Sequence, residues 1–245
     1  MELIIDFILI TGIVIGSLIL FFLFKKDKKE LPQYLLIVLF LFLLCEFIIS
    51  YFFLHEIYFI KLPSIIFSSA ITWFLGPLIF LYIKSLFTDE KKLIKKNLIH
   101  FIPYVVNLVL KSIIYITYFP SDIDNATYMQ IFEKKWVLDV VLSDLYFILY
   151  LLLTLRMFYR FKKAIKSNYS NLTEHDFIWL KYMLFGYLLV MIIDTFISII
   201  GLYSLYGFYI AITTTVIVII YLGYYGINQS KIFINTNTTT INNHD

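Results

Sequence analysis

Apolar residues in this chain fall in long unbroken runs, not in the alternating or one-faced patterns of a water-soluble domain. Seven such runs stand out, at residues 3–24, 34–54, 64–86, 98–119, 137–159, 177–200 and 206–226. Each approaches the ~20 residues that carry an α-helix across a ~30 Å hydrocarbon core. Lipid offers a bare backbone no hydrogen bonds, so only helices or closed barrels cross it, and these runs are far longer than the ~10-residue strands of a barrel. The pattern predicts an all-α membrane protein, a bundle of seven transmembrane helices over residues 1–227. A polar, Asn- and Thr-rich tail at 228–245 follows, too poor in apolar residues to fold alone.

Composition supports this reading. Of 245 residues 61% are hydrophobic, 20% aromatic and only 15% charged, and the mean hydropathy is +0.86. A soluble domain carries about 25% charged residues, so the membrane class fits better. The opening segment MELIIDFILI lacks a basic flank and a cleavage site, and is expected to be a retained first span. A single cysteine, Cys45, excludes an internal disulfide. Frequent Ile, Lys, Asn, Phe and Tyr suggest a bacterial source with an AT-rich genome.

The placement of the positive charges sets an expected orientation. Sixteen of the twenty basic residues lie in odd-numbered connections or the tail, including Lys25, Lys84, Lys91, Lys92, Lys95, Lys96, Arg156 and Arg160. Only Lys61, Lys134 and Lys135 lie in even-numbered ones, and Lys111 falls within a span. Short loops rich in Lys and Arg stay in the cytoplasm. The expectation is a multi-pass protein of the bacterial cytoplasmic (inner) membrane, with the N-terminus outside and the C-terminus cytoplasmic. The longest outer connection is expected from about Pro120 to Lys135.

Ionisable groups inside a span are costly and point to function. Glu46, Lys111, Asp144 and Asp194 are the candidates for ligand or signal sensing, with Asp139 nearer the surface. At 1.5 Å per residue, each of the four lies ~9–12 Å beneath the outer face, a single layer drawn from four helices. Adjacent antiparallel helices suggest that Lys111 pairs with Asp144, since a lone ammonium at that depth is unstable. The layer is read either as an outward-facing polar cavity or as interhelical hydrogen bonding. Gly76-Pro77 inside the third run is a candidate hinge, because proline removes a helix hydrogen bond. No paired-histidine metal spacing, Walker loop, nucleophile elbow or dinucleotide fingerprint is present. Neither a metal, a cofactor nor an enzymatic activity is expected.

Two stretches carry a family resemblance. GPLIFLYIKSL (Gly76 to Leu86), a basic loop and HFIPY (His100 to Tyr104) resemble the membrane part of AraC-type transcriptional regulators of Bacteroidetes, which carry a multi-span N-terminal sensor. WLKYML (Trp179 to Leu184) and GYYGINQSKIF (Gly223 to Phe233) are similar to later parts of the same region. The resemblance implies a signal-input module. In that family a cytoplasmic helix-turn-helix domain follows, whereas here the chain ends at Asp245 without a basic recognition helix. Direct nucleic-acid binding is therefore not expected of this chain.

The resulting expectation is a membrane sensor or receptor-like module that takes an unknown extracytoplasmic signal and passes it to a cytoplasmic partner or a missing DNA-binding domain. The alternative is a small transporter or channel-like protein using the polar layer as a path. The few ionisable groups in the inner halves of the spans, and the lack of an inverted repeat, weigh against that alternative.

Overall fold

The computed structural model describes residues 2–26, 29–55, 61–88, 93–118, 125–168, 175–200, 210 and 212–225. Within these, every regular element is helical. In chain order they are α1 (Glu2–Lys25), α2 (Leu31–Leu54), α3 (Lys61–Phe87), the short α4 (Leu93–Asn97), a 3₁₀ turn (Leu98–Phe101), α5 (Ile102–Tyr118), α6 (Asn125–Asn168) and α7 (His175–Ile200). A last apolar helix, α8, spans Ile212–Tyr225. Five helical stretches among the described residues are long and apolar enough to cross a membrane: Leu3–Lys25, Leu31–Phe52, Ala70–Phe87, Leu93–Ile113 and Val141–Lys163. The sixth and seventh expected spans correspond to shorter apolar stretches, Ile178–Ile193 and Ile212–Tyr225. The connection at 201–207 and the tail at 228–245 lie outside the described residues.

α6 departs most from the sequence pattern. It runs 44 residues without interruption, about 66 Å at 1.5 Å per residue, well beyond a ~30 Å hydrocarbon core. Much of the expected outer connection, from Asn125 onward, is therefore helix. At the other end the helix continues through Arg160, Lys162, Lys163 and Lys166, past the apolar run that ends at 159. Charged residues with good helix propensity can extend a span into water, where hydropathy alone shows a break.

The helices pack in sequence: α1 on α2, α2 on α3, α3 on α6 and α6 on α7. Trp179 of α7 stacks on Tyr225 of α8, with ring centroids 5.5 Å apart. A β-carbon added to Gly12 of α1 would lie 2.9 Å from both Phe47 of α2 and Val216 of α8. Gly12 is thus the point where three helices meet, and α8 returns the chain to α1. Six helices close into a ring, and α5 lies outside it against α3. The buried core includes Phe40, Phe47, Phe147, Phe158 and Trp179.

Outward faces are apolar. On α1 the exposed stripe is Leu3, Phe7, Ile10, Val14, Leu18 and Phe21, while Ile5, Leu9, Ile19 and Leu23 are buried. A stripe of this extent is untenable in water and natural against lipid tails. One end of the bundle, the basic end, gathers Lys25, Lys84, Arg156 and Arg160; at the opposite, far end the Nε2 of His55, just past α2, lies 2.9 Å from Asp6 Oδ1 of α1. His55 also packs on Tyr51, with centroids 4.4 Å apart.

Candidate functional site

α5 carries polar residues on one face and branched apolar residues on the other. Ile102, Val105, Val106, Val109, Leu110 and Ile113 are exposed, recurring every three or four residues as one helical stripe. The opposite face presents Tyr104, Asn107 and Lys111, spaced three and four apart. It therefore turns toward α3 and α6. Tyr104 packs on Phe74 of α3 at 5.0 Å between centroids, and Phe74 stacks on Phe42 of α2 at 4.1 Å.

Asp139 of α6 receives the two polar residues. Asn107 Nδ2 donates to Asp139 Oδ1 at 2.8 Å, and Lys111 Nζ pairs with Asp139 Oδ2. The Lys111 side chain is 5% exposed and that of Asp139 22%. The ion partner seen for Lys111 is thus Asp139, where the apolar pattern suggested Asp144. The reason is register: His100 and Asn107 of the α5 arm meet Tyr146 and Asp139 of α6, so antiparallel partners have residue numbers that sum to about 246–250. Asp144 lies about one and a half helical turns further along α6 than Asp139. It is buried, and Thr195 Oγ1 of α7 lies 3.5 Å from its Oδ2.

A second link joins the same helices nearer the basic end. Tyr146 Oη donates to the His100 carbonyl at 2.8 Å, and Tyr150 Oη lies 2.7 Å from His100 Nδ1. Phe80 of α3 flanks both His100 and Tyr150 edge-on, at 5.9 Å and 6.1 Å. α5 and the turn before it are thus fastened to α6 by two polar links, with the apolar face of α5 exposed.

The remaining sequence candidates separate. Glu46 lies on α2 with a partly exposed side chain, and on α7 the buried Tyr187 has a hydroxyl without a hydrogen-bond partner. Asp194 sits on the α7 backbone, and its side chain is outside the described residues. Of the expected layer, the structure joins Lys111 to Asp139 and brings Asp144 to Thr195. Sequence reading passed over Asn107, Tyr150 and Tyr187. Asn107 was the most legible of these, since it stands one turn from Lys111 in an otherwise apolar span.

Gly76 is buried, and a β-carbon there would lie 3.0 Å from the Phe147 ring and 3.1 Å from Tyr150 Cβ. Together with Pro77 it lies within the continuous helix α3. Its evident role is close approach of α3 and α6, beside the His100–Tyr150 link. Among the described residues no cluster of His, Cys, Asp and Glu is grouped to hold a metal. Compared with protein-family models, curated proteins and solved structures, the chain finds no match.

Proposed function

We propose that the chain is a seven-helix membrane sensor or receptor-like module, without enzymatic activity, in a bacterial inner membrane. Its N-terminus lies outside and its C-terminus in the cytoplasm, so the Lys111–Asp139 clamp sits toward the extracytoplasmic face. The attachment of α5 carries the reading. This helix lies outside the ring, fastened to α6 by an ion pair at one level and a His–Tyr link at another. Polar links of this kind have two discrete states, made or broken, and a signal that favours one state shifts the helix. The basic extension of α6 and the loop before α5 then present the change to a cytoplasmic partner. The resemblance of Gly76–Leu86 and His100–Tyr104 to AraC-type sensor regions supports the assignment as the input part of a membrane-bound regulator.

The full chain in lipid vesicles, spin-labelled at the exposed Leu110 and Leu142, distinguishes a receptor from a transporter. The receptor reading expects Lys111→Met to broaden or lengthen the α5–α6 distance, with no ion or proton flux above protein-free vesicles. Flux that Asp139→Asn abolishes, with an unchanged helix distance, would replace it with the transporter reading.

A further inference from the structure

The outward stripe of α6 changes character along its length. Leu145, Leu149, Leu152 and Leu153 are exposed. On the same stripe, toward the basic end, Arg156, Arg160 and Lys163 are exposed as well. At 3.6 residues per turn these seven side chains fall within about 100° of the helix circumference. The opposite face buries Phe147, Leu151 and Phe158 against the bundle. A leucine stripe therefore runs directly into a basic one.

That change comes where the hydrocarbon ends. The apolar stretch of α6 is Val141–Lys163, so Arg156 and Arg160 lie ~10 Å and ~5 Å of helix inside its end. Tyr159, between them in sequence, is 44% exposed, and Tyr182 of α7 is 64% exposed. The Phe147–Tyr187 and Asp144–Thr195 contacts set α7 antiparallel to α6 and bring Tyr182 close to the level of Arg156. Exposed tyrosines at one level on neighbouring helices mark the headgroup layer.

The two arginines have no acid at hand on their own helix. No acidic residue occurs from 145 to 173, and among the described residues neither arginine is ion-paired. They are also the only arginines among the twenty basic residues of the chain. A guanidinium keeps its charge at such a depth and calls for an anion. Four residues apart on one face, the pair has its β-carbons about 6 Å from each other, so both planar forks can grip a single phosphate. An anion that shares a stripe with leucines is a lipid phosphate, whose acyl chains cover the leucines. A zwitterionic lipid brings its own cation to compete with the arginines; an anionic one does not.

We infer that Arg156 and Arg160 form a binding site for the phosphodiester of an anionic phospholipid, with its acyl chains along the leucine stripe of α6. The site needs only that α6 crosses the bilayer, and stands apart from the sensor reading.

The test is fluorescence anisotropy of tail-labelled phosphatidylglycerol titrated with the full chain in detergent micelles. The expected result is saturable binding, with unlabelled phosphatidylglycerol displacing the probe at least about fivefold better than phosphatidylcholine. Arg156→Gln/Arg160→Gln should weaken binding at least about fivefold. Lys25→Gln/Lys95→Gln removes the same charge from exposed positions of α1 and α4 and should change binding by less than about twofold. Equal weakening in the two double variants, or equal displacement by the two lipids, overturns the site and leaves only diffuse charge. Displacement of the probe by millimolar inorganic phosphate overturns the assignment to a lipid. Should the glutamine variant not fold, Arg156→Lys/Arg160→Lys decides, because lysine keeps the charge and loses the fork. Weakening by about twofold or more supports the site, and a smaller change rejects it.

Discussion

Lys111 and Asp139 are joined across two helices that otherwise touch little, with Asn107 holding the second oxygen of the same carboxylate. The pair is an ion pair between α5 and α6 whose lysine is almost fully buried. Removing one partner of a buried pair is far worse than removing both, because the survivor is left uncompensated. Lys111→Met is therefore expected to destabilise the folded chain by about 1–3 kcal/mol, between the losses typical of buried ion pairs and those of intramembrane hydrogen bonds. The double variant Lys111→Met/Asp139→Leu is expected to recover at least half of that loss. Denaturant unfolding in detergent micelles measures both, and a double variant no better than the single one would deny the coupling.

Gly76 and Gly186 offer a matched comparison. A methyl group on Gly76 meets Phe147 and Tyr150, whereas on Gly186 it meets nothing within 4 Å. Gly76→Ala should cost about 1–2 kcal/mol through crowding of α3 against α6. Gly186→Ala should be neutral or stabilising by up to about 1 kcal/mol, since alanine is the better helix former. Equal effects at the two positions would mean that α3 and α6 are not so closely packed.

The existence of the apolar spans was legible because lipid imposes a length, and the runs at 3–24 and 34–54 differ from α1 and α2 by a few residues at most. The partner of Lys111 was not, because matching the ends of apolar runs does not fix register. α6 begins at Asn125, well before its apolar stretch, so the point where the run begins says nothing of where the helix begins. A side chain as long as lysine also reaches a partner nearly a turn from its own level. Tyr187 was illegible for another reason: among many aromatic residues, only the packing distinguishes a hydroxyl with no partner from one at an interface.

The His100–Tyr150 link makes a separable contribution. Tyr150→Phe removes the 2.7 Å hydrogen bond and keeps the ring against Phe80, so about 0.5–1.5 kcal/mol of stability should be lost. His100 and Lys111 are eleven residues apart, ~16 Å along the helix. Sites that far apart add independently. The Tyr150→Phe/Lys111→Met loss should then equal the sum of the single losses within about 0.5 kcal/mol. A strongly non-additive result would instead make α5 a single cooperative unit.

Orientation is tested by cysteine labelling with a membrane-impermeant maleimide. Cys45 is exposed and is first replaced by alanine. Single cysteines are then placed at Lys25 and Arg160 in the basic end and at His55 in the far end. His55→Cys breaks the contact with Asp6, but an exposed pair contributes only ~0–1 kcal/mol, so the chain should still insert. In intact cells His55→Cys should react, while Lys25→Cys and Arg160→Cys should react only after permeabilisation, because loops rich in Lys and Arg are retained in the cytoplasm. The reverse pattern would put Asp139 and Lys111 near the cytoplasmic face, where no extracytoplasmic signal reaches them.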